Sequence, residues 1–88
     1  MIRVFLVDDQ TLVRQGVRSL LELADGIEVV AEAADGKQAV EQIPLVKPDV
    51  VLMDMRMPVM SGLDALQALS KADALPPTII LTTFDDDQ

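Results

Sequence analysis

The sequence predicts an α/β fold in which parallel strands alternate with helices. Short apolar runs alternate with segments whose apolar residues recur at helical spacing, which is typical of βαβ units around a parallel sheet. The length of 88 residues suits one domain and excludes two. Polar residues follow three of the four predicted strands, which is where α/β sheets bind ligands.

The first strand and helix are predicted at the N-terminus. Apolar residues dominate positions 2–7, and the acidic pair Asp8-Asp9 follows them. The next apolar residues fall at the spacing of an amphipathic helix: Leu12, Val13, Val17, Leu20, Leu21 and Ala24. We expect Thr11 or Asp9 to cap the N-terminus of this helix and Asp25-Gly26 to end it.

The second strand is predicted over Ile27–Ala33, where acidic and apolar residues alternate. Asp35-Gly36 then turns the chain into a short helix that begins at about Lys37. Pro44 is expected to end or bend this helix early, because proline lacks the N–H that the helical hydrogen bond requires.

The third strand, Val50–Met53, is apolar at every position, as expected for a central strand covered on both faces. This strand ends at Asp54. Ser61, with Asp64 three residues later, resembles a capping box and predicts a third helix through Leu69.

The fourth strand is predicted over Thr78–Leu81, after Pro76-Pro77 has forced the backbone to be extended. The aspartates at 85–87 are typical of N-caps for a helix that would follow Gln88, so we expect the domain to be truncated. A second cation site at these aspartates is the weaker interpretation.

Composition restricts the chemistry that the chain can perform. The net charge is −8 and the seven Lys and Arg residues are scattered, which argues against direct nucleic-acid binding. Cys and His are absent, which excludes disulfides, zinc sites with N or S ligands and imidazole catalysis. The chain has neither an apolar run of membrane-spanning length nor a signal peptide, so we expect a cytoplasmic protein with no membrane partner.

The polar residues at the strand ends can form one site. If strands one, three and four are neighbours, Asp8, Asp9 and Asp54 converge with Thr82 on a single acidic cleft. Carboxylates that lie close together repel, and a cation between them relieves the repulsion. Ligands that are all oxygens favour Mg²⁺, with Mn²⁺ as its replacement.

A carboxylate beside such a metal can attack phosphorus and form an acyl phosphate. Asp54, which ends an entirely apolar strand, is one of the three carboxylates to which this role is open. A hydroxyl at the end of the adjacent strand can donate a hydrogen bond to a phosphoryl oxygen, and this role is available to Thr82.

Taken together, these motifs resemble the receiver domain of two-component response regulators, and most closely the nitrate-response (NarL-like) type. The resemblance rests on the acidic pair, on Asp54-Met55-Arg56-Met57-Pro58 followed by Gly62-Leu63, and on Thr82-Thr83-Phe84. It covers essentially the whole chain. It implies a flavodoxin-like (CheY-like) doubly wound parallel sheet of strand order 2-1-3-4, with the fifth strand and the last helices missing.

The resemblance also implies roles for the matching residues. Asp54 would be the phosphoacceptor and, with Asp8, Asp9 and the backbone carbonyl of Arg56, a metal ligand. Thr82 would be the switch hydroxyl. The residues implied to shape the loop after the phosphorylation site are Met57, Pro58 and Gly62.

The implied function is a signalling switch that phosphorylates itself and has no turnover on an external substrate. The phosphoryl donor would be a phosphohistidine on a sensor histidine kinase, or a small molecule such as acetyl phosphate. The switch would normally control a DNA-binding output domain, which these residues do not contain. The lysine that family members carry on a fifth strand lies beyond Gln88.

Other functions remain to be distinguished. The missing lysine favours a receiver-like module without phosphotransfer, which would act only in dimerisation or docking. A flavodoxin-like cofactor binder needs a phosphate loop rich in glycine and hydroxyls, where this chain has Asp8-Asp9-Gln10. An aspartate-nucleophile phosphatase needs a second aspartate where Arg56 stands.

The predicted fourth strand leaves one edge of the sheet open. Ile79, Ile80 and Leu81 would be exposed along this edge. Because an uncovered apolar edge is a site of association, we expect a homodimer or a strand-exchanged oligomer.

Overall fold

A computed structural model describes residues 1–55 and 61–81 of the chain. Strands and helices alternate along them: β1 Ile2–Val7, α1 Thr11–Glu22, β2 Ile27–Ala33, α2 Gly36–Val46, β3 Val50–Asp54, α3 Gly62–Lys71 and β4 Thr78–Leu81. The predicted α/β fold is confirmed, and each strand begins at the predicted residue. Among the described residues, no helix is both long enough and apolar enough to span a membrane.

The described strands form one parallel sheet in the order β2-β1-β3-β4, which confirms the expected order 2-1-3-4. β1 lies between β2 and β3, and its last residue, Val7, pairs with Ala33 on one side and Met53 on the other. Asp54 of β3 pairs with Leu81 of β4. The carboxyl ends of β1 and β3 therefore lie side by side, which positions the candidate site.

The sheet is covered by helices on both faces. On one face, α2 and α3 pack on the larger core, which consists of Phe5, Val7, Ala33, Ala39, Ile43, Val51, Met53, Ala65 and Leu69. On the other face, Val17 and Leu21 of α1 pack on a smaller cluster formed by Val4, Leu6 and Val29. No residue of α1 is fully buried, so the α1 side of the sheet is the less completely covered one.

Pro44 does not end α2 early, so that part of the prediction is wrong. The helix continues through Pro44 to Val46. Lys47 then adopts a left-handed conformation with φ of 52°, and its N–H donates to the carbonyl of Ile43 at 2.8 Å. Because Pro44 lies in the last turn, its missing N–H removes one hydrogen bond from a helix that is about to end.

The N-cap prediction for α1 is also wrong. The N-cap is Gln10 rather than Thr11 or Asp9, and its side chain makes no capping hydrogen bond. Instead, the backbone N–H of Gln10 donates to Oδ1 of Asp8 at 2.8 Å, so the first aspartate of the pair organises the loop. The helix ends at Glu22, before the predicted stop at Asp25-Gly26.

The cap predicted for α3 is present. Ser61 is the N-cap, and its Oγ accepts a hydrogen bond from the backbone N–H of Asp64 at 3.2 Å. Asp64 also lies in the first turn, where a negative charge interacts favourably with the helix dipole. The helix continues beyond Leu69 to Lys71.

Candidate metal centre

Asp8, Asp9 and Asp54 lie together at the carboxyl edge of the sheet. Asp8 directly follows β1, and Asp54 is the last residue of β3. Because Val7 pairs with Met53, the residues that follow them stand at the same level on adjacent strands. One carboxylate oxygen from each aspartate lies within 4.8 Å of the other two. The structure thus brings together the three carboxylates that the strand-end pattern placed in one cleft.

The two aspartates at the ends of β1 and β3 are buried. Asp8 is 8% exposed and Asp54 is 9% exposed, whereas Asp9 is exposed. The backbone N–H of Asp8 donates to the carbonyl of Ala33 at 3.1 Å, which continues the pairing of β1 with β2. The cluster therefore lies at the ends of the two central strands of the sheet and opens to solvent at Asp9.

Electrostatics within the cluster favour a bound cation. Burial raises the pKa of the Asp8 carboxyl above its ordinary value of 3.8. The hydrogen bond from the Gln10 N–H lowers this pKa, whereas the negative charges of Asp54 and Asp9 raise it further. The ionised form of Asp8 is therefore disfavoured by its surroundings, and a cation among the carboxylates would reverse that preference.

The donor set fits a small hard cation. All three side chains offer carboxylate oxygens, and the chain contains neither His nor Cys. Mg²⁺ binds oxygens at about 2.1 Å, so two ligands on opposite sides of one ion are about 4 Å apart. The oxygens of the cluster, within 4.8 Å of one another, need only a small adjustment to share such an ion.

Gly62 lies directly behind Asp54. As the first residue of α3, it donates its N–H to the carbonyl of Met55 at 3.1 Å. A Cβ atom at this position would stand 2.6 Å from the carbonyl oxygen of Asp54 and 3.0 Å from the Cα of Met55. Glycine therefore allows α3 to begin in contact with the backbone of Asp54.

Arg14 and Glu32 also belong to the surroundings of the site, and the sequence interpretation missed them. Nη1 of Arg14 donates to the carbonyl oxygen of Asp8 at 2.6 Å, and its Nε pairs with Oε1 of Glu32 at 2.8 Å. Arg18 binds the same carboxylate. Arg14 and Arg18 are four residues apart and so share one face of α1, which was the signal available in the sequence.

Several predicted site residues lie outside the described ranges: Arg56, Met57, Pro58 and Thr82. The carbonyl ligand and the switch hydroxyl therefore stay predictions, as does the interpretation of the aspartates at 85–87.

A cavity of about 350 Å³, lined in part by Pro44, Lys47 and Pro76, lies at the opposite edge of the sheet, away from the acidic cluster.

Comparison with known proteins identifies the family. The model of the response regulator receiver domain matches residues 4–88. The nitrate/nitrite response regulator protein NarP of Escherichia coli (strain K12) is 49% identical over 83 residues, which are 94% of this chain and 39% of NarP. A protein-glutamate methylesterase/protein-glutamine glutaminase of Methanococcoides burtonii is 46% identical over 76 residues, which are 86% of this chain and 22% of that protein.

The solved structures agree with this result. The signal receiver domain of NarL from Mycobacterium tuberculosis superposes with a TM-score of 0.88 at 36% identity, and the match covers 97% of this chain and 68% of that one. The chain spans between 22% and 39% of the length of the two curated relatives. Since the family match extends over residues 4–88 and the fold agrees, the chain belongs to the response regulator receiver domains of two-component systems.

Proposed function

We propose that the chain is a phosphoacceptor switch in which Asp54 receives a phosphoryl group beside a Mg²⁺ ion held by Asp8, Asp9 and Asp54. The observation that carries this proposal is the convergence of the three carboxylates within 4.8 Å. Mn²⁺ is the alternative ion, because it also prefers oxygen ligands. Receiver domains pair with sensor histidine kinases in two-component systems, so the proposed donor is a phosphohistidine, with acetyl phosphate as a small-molecule substitute.

The chemistry assigned to Asp54 is nucleophilic. One carboxylate oxygen forms a bond to phosphorus while the bond from phosphorus to the donor breaks, and the electron pair of that bond leaves with the donor. The product is an acyl phosphate on Asp54. A bound Mg²⁺ would neutralise charge on the phosphoryl oxygens.

The surroundings of Asp54 suit this role. The residue ends a central strand, is 9% exposed and has the first residue of α3 packed against its backbone. A nucleophile held by the sheet and a helix keeps its direction relative to the metal ligands, which is the positioning that phosphoryl transfer requires.

The proposed switch modifies itself and does not turn over an external substrate. The related proteins are named both as transcriptional regulators and as a methylesterase, so membership of the family does not fix the output. The similarity to relatives named as transcriptional regulatory proteins supports a DNA-binding output domain in the complete protein, and we propose that the reaction takes place in the cytoplasm.

Phosphorylation of the chain by acetyl phosphate, followed by gel shift and intact mass, tests the proposal. We expect the wild type to gain one phosphoryl group when Mg²⁺ is present and to gain none when a chelator removes it. Asp54→Asn should abolish the gain. Asp25→Asn, which changes an exposed aspartate after α1, is the matched control and should be phosphorylated normally. Equal phosphorylation of Asp54→Asn and the wild type would refute the role of Asp54.

The alternative of a module without phosphotransfer, acting only in docking, makes a different prediction. Such a module would bind no Mg²⁺ at Asp8 and Asp9. Calorimetric titration of the wild type and of the Asp8→Asn/Asp9→Asn double variant therefore separates the two functions. Specific binding that the double variant loses supports the switch, and absence of binding in the wild type supports the docking module.

A further inference from the structure

Arg14 is hydrogen-bonded to the backbone of Asp8, which is one of the three aspartates of the acidic cluster. Its Nη1 donates to the Asp8 carbonyl oxygen at 2.6 Å. Asp8 is also hydrogen-bonded through its own N–H, to Ala33, and through Oδ1, which accepts from Gln10. Of these three bonds, the one from Arg14 uses a side-chain donor, so a substitution can remove it without changing the path of the chain.

Glu32 of β2 holds Arg14 in place. The two side chains pair at 2.8 Å and are 16% and 22% exposed, so solvent screens this pair less than a fully exposed one. Burial alone would raise the pKa of Glu32, but hydrogen bonds from Arg18 and Arg14 outweigh it and lower that pKa below the ordinary 4.5. The planar guanidinium of Arg14 thus forms an ordered bridge from β2 to the loop after β1.

We propose that Arg14 is a positioning residue for the metal centre: held by Glu32, it fixes the carbonyl of Asp8 and thereby the direction in which the Asp8 carboxylate enters the cluster. This inference rests on the proposed function, because it concerns the same metal site. Residues that orient metal ligands typically change metal affinity by about 10- to 100-fold when they are replaced.

The charge of Arg14 and its proposed positioning role predict different changes in Mg²⁺ affinity when Arg14 is replaced. The positive charge of Arg14 repels a cation, so its removal by itself would strengthen Mg²⁺ binding. Arg14→Lys keeps the charge, but a single nitrogen cannot reproduce the two donors with which the guanidinium reaches Glu32 and Asp8 at once. Arg18→Lys is the matched control, since Arg18 lies on the same helix and pairs with Glu32 and Glu22.

Calorimetric titration with Mg²⁺ tests the proposal on the wild type and the two lysine variants, each with its melting temperature recorded. Arg14→Lys should weaken binding about tenfold while the chain stays folded. Arg18→Lys should stay within about twofold of the wild type, because a half-exposed ion pair contributes little. Wild-type affinity in a folded Arg14→Lys chain, or equal losses in both variants, would overturn the proposal.

The role of Glu32 is tested by a double-mutant cycle. If Glu32 acts through Arg14, Glu32→Ala weakens Mg²⁺ binding more in the wild type than in the Arg14→Ala chain, where only the loss of its negative charge remains. Additive losses would show that Glu32 acts independently, and the assignment of Glu32 as the residue that holds Arg14 would then be wrong.

A measurement without metal separates this inference from the proposed function. The amide chemical shifts of Asp8, Asp9 and Gln10 should change in Arg14→Lys and stay close to wild type in Arg18→Lys. If the wild type binds no Mg²⁺, the proposed function fails, yet these shifts still decide whether Arg14 positions the loop. Unchanged shifts in Arg14→Lys would overturn the positioning role.

Discussion

Asp8 is buried next to two other carboxylates, and its negative charge opposes folding when no cation is bound. Its pKa is raised above 3.8 in the folded chain, so the folded state binds a proton more readily than the unfolded state does. The resulting loss of stability is fully present at neutral pH, and it disappears as the pH falls through the raised pKa toward 3.8.

We therefore expect Asp8→Asn to raise the melting temperature by several degrees at pH 7 when a chelator is present. Asparagine removes the charge and keeps an oxygen that can accept from the Gln10 N–H. Thermal denaturation followed by circular dichroism should show the gap between variant and wild type closing in acid. A variant that is less stable than the wild type at pH 7 without metal would contradict this prediction.

Addition of Mg²⁺ provides the internal control for the Asp8 variant. A ligand at a hundred times its dissociation constant stabilises the folded state by about 2.7 kcal/mol. The wild type should gain this stability, whereas Asp8→Asn, which lacks one ligand, should gain less. The difference between the two melting temperatures should therefore become smaller or change sign when Mg²⁺ is added.

The three carboxylates of the site could be predicted from the sequence, but the hydrogen bond from Arg14 to the backbone of one of these aspartates could not. Asp8, Asp9 and Asp54 were predictable because each follows an apolar run, and parallel strands end at the same edge of a sheet. The bond from Arg14 to the Asp8 carbonyl depends on how α1 is rotated over β2, and only a folded structure shows that rotation.

At the scale of elements, α3 and β3 are coupled through Gly62. A Cβ atom there would approach the Asp54 carbonyl oxygen to 2.6 Å, so either the start of α3 or the peptide after Asp54 must move. We expect Gly62→Ala to destabilise the chain by about 1–3 kcal/mol, as is typical when a packed position is overfilled. Urea denaturation measures the loss, and Mg²⁺ affinity should fall with it.

Gly16 offers a matched control for the Gly62 variant. A Cβ atom at Gly16 would have no neighbouring atom within 4 Å, and the residue lies inside α1. Gly16→Ala should therefore stabilise the chain by about 0.5–1 kcal/mol through helix propensity. If Gly62→Ala were as stable as the wild type, the close contact between the start of α3 and the backbone of Asp54 would be disproved.

The elements show which local signals determine structure in this chain. The strands were predictable because their apolar runs are bounded by glycine, proline and acidic residues. The prediction from Pro44 was wrong because a proline indicates a helix break without showing where the helix ends. Pro44 lies in the last turn of α2, where the helix tolerates it. The cap of α1 misled because Asp8, a residue of the site, accepts the N–H of Gln10, and the choice of acceptor depends on the surrounding fold.

At the scale of the whole molecule, the described sheet has one half-covered face. Ile79 of β4 is 55% exposed, and it points away from the core against which its neighbour Ile80 packs. α1 packs against β1 and β2 on that face. Within residues 1–55 and 61–81, β4 pairs with β3 alone, so its other edge can accept a strand from a second chain.

We expect the isolated chain to associate through this edge as its concentration rises. Sedimentation velocity from micromolar to millimolar concentration should show the mass increasing from the monomer value of 9.6 kDa toward that of a dimer. Ile79→Lys should keep the chain monomeric over the same range, because a charge on an edge strand opposes pairing with another strand.

Leu45→Lys is the control for the Ile79 variant, since Leu45 is 82% exposed on α2 and lies away from β4. It should associate as the wild type does, because removal of an exposed leucine elsewhere leaves the edge intact. Equal suppression by both lysine variants would assign the association to general hydrophobic contact, and a wild type that stays monomeric at millimolar concentration would exclude the edge as an interface. If the chain does form dimers, the rate at which labelled and unlabelled dimers exchange subunits identifies the kind of interface. Slow exchange would indicate an exchanged strand, because such dimers must unfold locally to separate, and fast exchange would indicate simple pairing of two edges.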